Sequence, residues 1–260
     1  MTNSTTMTAT LHIGEVEVPR IGLGSNRLTN TPEHRAFIQG AVDAGIRHID
    51  TAHLYTGGES ESTIGEALDP PPPGVVVGTK GGFRPGEGRP DILKEQIDES
   101  LRHLRTEAIA IYYLHRVSPG IPIEDSVGAL REYQDAGKIR HIGISEVSVD
   151  EIERARRVAP IAAVQNHYNL EERRHEAVVD YCTREGIVFV PFFPLRGRPE
   201  ALDRIAQAHG ATPTQVALAW LLHRSPLMLP IPGTLSLDHL RDNLASLDIE
   251  LSDEELDALR

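Results

Sequence analysis

Asp50, Tyr55, Lys80 and His115 are side chains that move protons, and each stands at or just past the end of a short apolar run. A free phenol, with a pKa near about 10, exchanges protons poorly at neutral pH. A neighbouring ammonium favours its ionised form, and a carboxylate keeps that ammonium charged and fixed. An imidazole beside them can hydrogen-bond and orient a substrate oxygen. Together the four would protonate an oxygen as negative charge develops on it, as when a hydride reaches a carbonyl carbon. General acid catalysis of this kind is worth ~10²–10⁴-fold. None of the four can itself give a hydride, so a nicotinamide or a flavin has to supply it.

Such a set works only if separate elements bring it to one place. Short apolar runs alternate with amphipathic stretches along most of the chain. The expected strands are Ile21–Ser25, His48–Asp50, Val75–Lys80, Ala108–Leu114, Ile139–Ser145, Ile161–Gln165, Ile187–Phe192 and Met228–Ile231. Helical spacing runs between them, as in "DILKEQIDESLRHL", where Ile92, Leu93, Ile97, Leu101 and Leu104 recur on one face. Eight strand–helix units in 260 residues suit a (β/α)8 barrel better than an open doubly wound sheet. The preceding "LHIGEVEVPR" suggests a β-hairpin that closes the barrel bottom. Residues 10–260 are expected to form one such domain after a disordered tail, 1–9. In a barrel the chemistry belongs at the C-terminal strand ends. Those ends carry Gly24 and Ser25, Asp50 with Tyr55, Lys80, His115, Ser145, Gln165, Phe192 and the "IPGT" stretch.

Composition narrows the class further. The formal net charge of −12 and pI near 5.4 argue against a nucleic-acid binder. One cysteine, Cys182, allows no internal disulfide. No apolar run approaches a membrane span, and the polar start "MTNSTTMTAT" lacks a signal-peptide pattern, so a cytoplasmic location is expected. No G-x-G-x-x-G turn follows a strand. A nucleotide would therefore sit on the last barrel loops and a helix N-terminus, in "PFFPLRGRPE" and "IPGTLSLDHLRDN".

With these residues in place, the sequence resembles the aldo-keto reductases, most closely the short bacterial members, over residues 11–255. The resemblance rests on "IDTAHLYTGGESESTIGEAL", "VGTKGG", "YYLHR", "GKIRHIGIS", "AAVQNHYNL" and "ALAWLLHR", in order and at fitting intervals. It implies a metal-free, monomeric barrel that reduces aldehydes or ketones with NADPH, with NADH as the alternative donor. Tyr55 would be the general acid, Lys80 its modulator, Asp50 the partner of Lys80, and His115 the group that orients substrate. Ser145 and Gln165 would hold the nicotinamide carboxamide, and Phe192 would stack on the ring. Gly24, Ser25, Pro194, Leu195, Arg196, Gly233, Thr234, His239 and Asn243 complete the expected cofactor contacts. Asn26, His53 and Leu54 are the expected substrate contacts.

Three positions depart from the family pattern. A Ser-Asn pair in relatives reads Ser145-Glu146 here; aimed at the ring, Glu146 would favour the oxidised, cationic cofactor. A Lys and an Arg that clasp the 2′-phosphate in many relatives read Gly233 and His239, which weakens the case for NADPH over NADH. Arg196 and Arg198 stand in a loop that relatives fill with small residues, where an Arg fork suits pyrophosphate. Two rival readings remain open. One is a metal-dependent hydrolase using Asp50, His53, His115 and His167; the other is an NADP(H)-binding regulatory barrel with negligible turnover.

Overall fold

The computed structural model describes residues 8–259. Residues 1–7 of the expected disordered tail lie outside the described residues. Of its last two, Thr8 and Ala9, both carbonyls accept hydrogen bonds from Arg20. The strands are β1 (Thr10–Ile13), β2 (Val16–Pro19), β3 (Leu23–Gly24), β4 (His48–Asp50), β5 (Val76–Gly81), β6 (Ile109–Leu114), β7 (Ile139–Ser145), β8 (Ile161–Gln165) and β9 (Val188–Phe189). β1 and β2 form an antiparallel hairpin, and β3 to β9 form a parallel sheet in sequence order. The helices are α1 (Pro32–Asp43), α2 (Glu59–Ala67), α3 (Pro90–His103), α4 (Ile123–Asp135), α5 (Val149–Arg156), α6 (Glu176–Glu185), α7 (Ala201–Ala208), α8 (Pro213–Arg224), α9 (Leu237–Leu244) and α10 (Asp253–Ala258).

Segment 228–233 closes the sheet into the expected (β/α)8 barrel. Met228 bridges to Phe189 on one side and Gly233 to Gly24 on the other. This segment reads "MLPIPG", and its two prolines have no N–H to give. Pro230 and Pro232 accept instead, from the backbone N–H groups of Gly22 and Gly24. One-way pairing of this kind explains why the eighth expected strand forms bridges rather than a full ladder. Contact here is close: a Cβ on Gly24 would lie 2.7 Å from the Ile231 carbonyl oxygen. Glycine is thus required where the barrel seals.

Apolar periodicity sets the two layers. On α3, Leu93 and Ile97 are buried against the barrel, while α8 buries every residue from Val216 to Leu222. Trp220 lies in that core, stacked on Tyr168 with ring centroids 5.8 Å apart. Cys182 is buried too, and burial pushes its thiol up to about 12, leaving it unreactive. Inside the barrel, Leu11, Ile13 and Val18 of the hairpin pack with Val76, Ile111 and Val188, so the hairpin plugs the N-terminal end. Arg20 fastens that plug. Its fully buried guanidinium donates to the carbonyls of Leu222, Ser225, Met228 and Thr8. No carboxylate pairs with it among the described residues.

Candidate active site

The turn after β4 gives Tyr55 its place. Asp50 ends the strand, and Thr56, Gly57 and Gly58 follow Tyr55 with φ of 49°, 68° and 93°. Three successive left-handed residues reverse the chain sharply before α2, which is why a glycine pair stands here. Thr56 accepts the strain and fixes it, its Oγ1 donating to the Leu28 carbonyl at 2.5 Å. Tyr55 is thereby held half-buried over the C-terminal strand ends.

Lys80, at the end of β5, is the hub. Its Nζ donates to Asp50 Oδ1 at 2.6 Å and to the Thr51 carbonyl at 2.6 Å, and it lies 3.4 Å from the Tyr55 hydroxyl. The side chains of Lys80 and Asp50 are 0% and 2% exposed. Burial is the largest influence on Lys80 and disfavours its charge. The Asp50 charge and hydrogen bond, joined by Tyr55, outweigh it and raise the Lys80 pKa. Gln165 Nε2 donates to the other Asp50 oxygen at 2.8 Å, so both carboxylate oxygens are used.

His115 follows β6 with its ring edge-on to Tyr55, centroids 6.1 Å apart. Burial first, then the charges of Lys80 and Arg116, lower its pKa to about 2. The imidazole is therefore neutral. Its Nδ1 is buried without a partner among the described residues, which leaves Nε2 as the nitrogen that meets the cavity.

Tyr55 and His115 line a cavity of about 600 Å³, with Gly24, Ser25, Asn26, Leu54, Ser145, Gln165, Phe192, Pro194, Leu195, Arg196 and Gly233 also in its wall. Phe192 is backed on one face by His167, the rings 12° from parallel at 5.3 Å. Ser145 accepts from Arg116, so its hydroxyl hydrogen is free to donate, and Gln165 Oε1 makes no hydrogen bond among the described residues. A donor, an acceptor and an aromatic face at neighbouring strand ends fit the carboxamide and ring of a nicotinamide.

Several expected contacts lie elsewhere. Glu146 turns away from the cavity, its backbone at φ 56°. One carboxylate oxygen accepts from the His167 N–H at 2.6 Å and the other from Arg174 at 2.7 Å. Burial opposes its charge, but hydrogen bonds from His175 and His167 hold the pKa at about 2. The bent backbone after β7 thus points it at Arg174, not at a nicotinamide. His53 also turns away, to Glu99 at 2.6 Å, and lines an adjoining cavity of about 370 Å³. Thr234 is buried with its Oγ1 accepting from Ser236 N–H, and Asn243 is buried in the last turn of α9. His239 is exposed in the first turn of α9, and Arg241 pairs with Asp238. Thr234 follows Gly233 past the cavity wall, and His239, Arg241 and Asn243 lie on α9. Arg196 and Arg198 part company: Arg196 lines the cavity over the Phe193 ring, while Arg198 pairs with Asp203. The four groups of the metal reading do not converge, since no cluster of three or more such ligands exists among the described residues.

Arg116 and Phe193 also line the cavity and were not among the expected contacts. The sequence signal for Arg116 was its place directly after His115 in "YYLHR", one residue past a strand end. Phe193 carries φ 51°, a backbone state that no residue type in "PFFPLRG" announces.

The family model for the aldo/keto reductase family matches residues 20–198 and 196–260. The chain is 36% identical to an uncharacterized oxidoreductase of Schizosaccharomyces pombe, covering 94% of this chain and 87% of that protein. It is also 36% identical to the pyridoxine 4-dehydrogenase of Escherichia coli, covering 96% of each. A crystal structure of an aldo/keto reductase from Klebsiella pneumoniae, in complex with NADP and acetate, matches with a TM-score of 0.86. It is 30% identical and covers 97% of this chain and 94% of that one. The chain belongs to the aldo/keto reductase family.

Proposed function

We propose that this protein reduces aldehyde or ketone carbonyls with NADPH, using Tyr55 as the general acid. The observation that carries the reading is Lys80 Nζ, fully buried, held 2.6 Å from Asp50 and 3.4 Å from the Tyr55 hydroxyl at the cavity wall. Negative charge that appears on the phenolic oxygen as its proton leaves is stabilised by this fixed ammonium, which needs no solvent rearrangement to act. Neutral His115 can donate a hydrogen bond to the substrate oxygen without competing as a cation. A nicotinamide held here would supply the hydride to the carbonyl carbon, and Tyr55 would give its proton to the carbonyl oxygen. Ser145 and Gln165 would hold its carboxamide and Phe192 its ring, while the N-terminus of α9, Arg196, and Arg27, a cavity residue that donates to the Gly233 carbonyl, would meet the phosphates. Relatives named or crystallised with NADP support this donor.

Likeness to a pyridoxine 4-dehydrogenase makes pyridoxal-type aldehydes sensible first substrates. The test is titration with NADPH and with NADH by nicotinamide fluorescence, followed by aldehyde turnover. Micromolar NADPH binding with turnover supports the reading; absence of binding by either nucleotide defeats it. Binding without turnover would favour the regulatory reading.

A further inference from the structure

Arg116 is a charged residue of the cavity whose outer edge the carbonyl chemistry does not use. Its guanidinium makes two hydrogen bonds, both from Nη1, to the His115 carbonyl at 2.6 Å and to Ser145 Oγ at 3.2 Å. Its Nε–Nη2 edge makes none of the hydrogen bonds found among the described residues, and no carboxylate there lies within ion-pair distance of it. The acid whose charge acts on it most, Glu146, is hydrogen-bonded to Arg174 and the His167 N–H. A half-buried cation without an ion-pair partner is costly unless something supplies one. Arginine remains charged at any working pH.

Its surroundings say what that something is. The guanidinium carbon lies 5.4 Å from the Phe83 ring centroid and 5.6 Å from that of Phe192, so aromatic faces flank it. Phe83 is itself 4.8 Å from the His115 ring. Phe83 and Phe193 are 41% and 46% exposed, giving the cavity mouth an apolar rim. Arg116 lines the same cavity as Tyr55 and His115, and the Tyr55 phenol is close enough to act on its charge. A nicotinamide held by Ser145, Gln165 and Phe192 would bring only a neutral carboxamide to Arg116, with its phosphates proposed to meet Arg27 and Arg196.

We infer that Arg116 selects carbonyl substrates that carry a carboxylate, binding it side-on through Nε and Nη2 while the carbonyl sits at Tyr55 and His115. The inference rests on the reductase reading and names its substrate class. A guanidinium edge offers two parallel N–H donors that match the two oxygens of a carboxylate, which an ester or a hydroxyl cannot reproduce. The bland alternative is that Arg116 only braces Ser145. A brace would affect charged and neutral substrates alike.

The experiment compares 4-carboxybenzaldehyde with its neutral methyl ester, methyl 4-formylbenzoate, in wild-type protein and Arg116→Gln, with NADPH affinity measured on both proteins. Wild-type protein is expected to favour the carboxylate in kcat/KM. In Arg116→Gln the carboxylate-to-ester ratio should fall on the order of 10–100-fold, mostly through KM, as expected for loss of hydrogen bonds to a charged group. Arg116→Lys should recover only part of it, since a point charge has no fork. The ratio in wild-type protein should also fall with added salt. A wild-type ratio near one, or a ratio that the Gln variant leaves intact, overturns the inference while ester turnover keeps the reductase reading. Failure to turn over either aldehyde overturns both.

Discussion

Replacing Asp50 by Asn should be one of the most damaging single changes available near the cavity, and its damage should be undone by a second change. The carboxylate neutralises Lys80 at 2.6 Å in a site where neither side chain is more than 2% exposed. Asp50→Asn leaves the ammonium with the Thr51 carbonyl and the Tyr55 hydroxyl but no counter-charge. Breaking a buried pair from one side costs about 3–5 kcal/mol. At this chain length that lowers Tm by roughly 6–20 °C. Lys80→Met should cost a similar amount, since it strands Asp50 with Gln165 alone. The double variant removes both charges and should lose less than about 2 kcal/mol, because the desolvation penalty disappears with them. Urea unfolding of all four proteins gives the coupling energy directly. The penalty of Asp50→Asn should also shrink as pH rises toward 10, because the stranded lysine can shed its proton when folded before it does when unfolded. Losses that simply add in the double variant, or an Asp50→Asn penalty below about 1 kcal/mol, would refute the reasoning.

Gly57 has φ 68° and open space around its Cα, so Gly57→Ala tests backbone strain without a clash. It should cost about 1 kcal/mol by chemical denaturation and slow turnover by displacing Tyr55. His48 is fully buried with neither ring nitrogen partnered among the described residues, and burial lowers its pKa to about 4. The unfolded chain takes up that proton first, so stability is fully present above about pH 6.5 and falls as pH drops toward 4. The loss reaches about 3 kcal/mol, and His48→Leu should flatten this part of the pH–stability curve. Glu146→Gln should leave the ratio of NADPH to NADP+ affinities unchanged, because the carboxylate faces Arg174; a shifted ratio by fluorescence titration would put Glu146 back at the ring. His239→Arg should raise NADPH affinity relative to NADH, measured in the same way, if the first turn of α9 meets the 2′-phosphate.

Legibility in the sequence followed how local each cause was. Asp50, Lys80, Ser145 and Gln165 end apolar runs, so a barrel places them at one rim whatever the loops do. Boundaries slipped where backbone chemistry overrode the apolar pattern. The expected strand Ile187–Phe192 contains Pro191, and the observed β9 stops at Phe189. The last strand lost its ladder to Pro230 and Pro232. Glu146 shows a further limit. Its position after Ser145 was right for the ring, but a left-handed backbone rotated it onto Arg174, a partner 28 residues away in sequence. His53 was drawn off in the same way by Glu99. Arg116 is not legible as a site residue in the sequence because its significance is relational: a charge counts as unpaired only once every neighbour is known.

The central claim is that Tyr55 donates the proton, and Tyr55→Phe tests it most directly, since it removes one oxygen and keeps the ring. Aldehyde-dependent NADPH oxidation should fall by ~10²–10⁴-fold, while NADPH affinity stays within about threefold of wild type. Turnover within a few-fold of wild type would contradict the account, whatever the other residues of the cavity do.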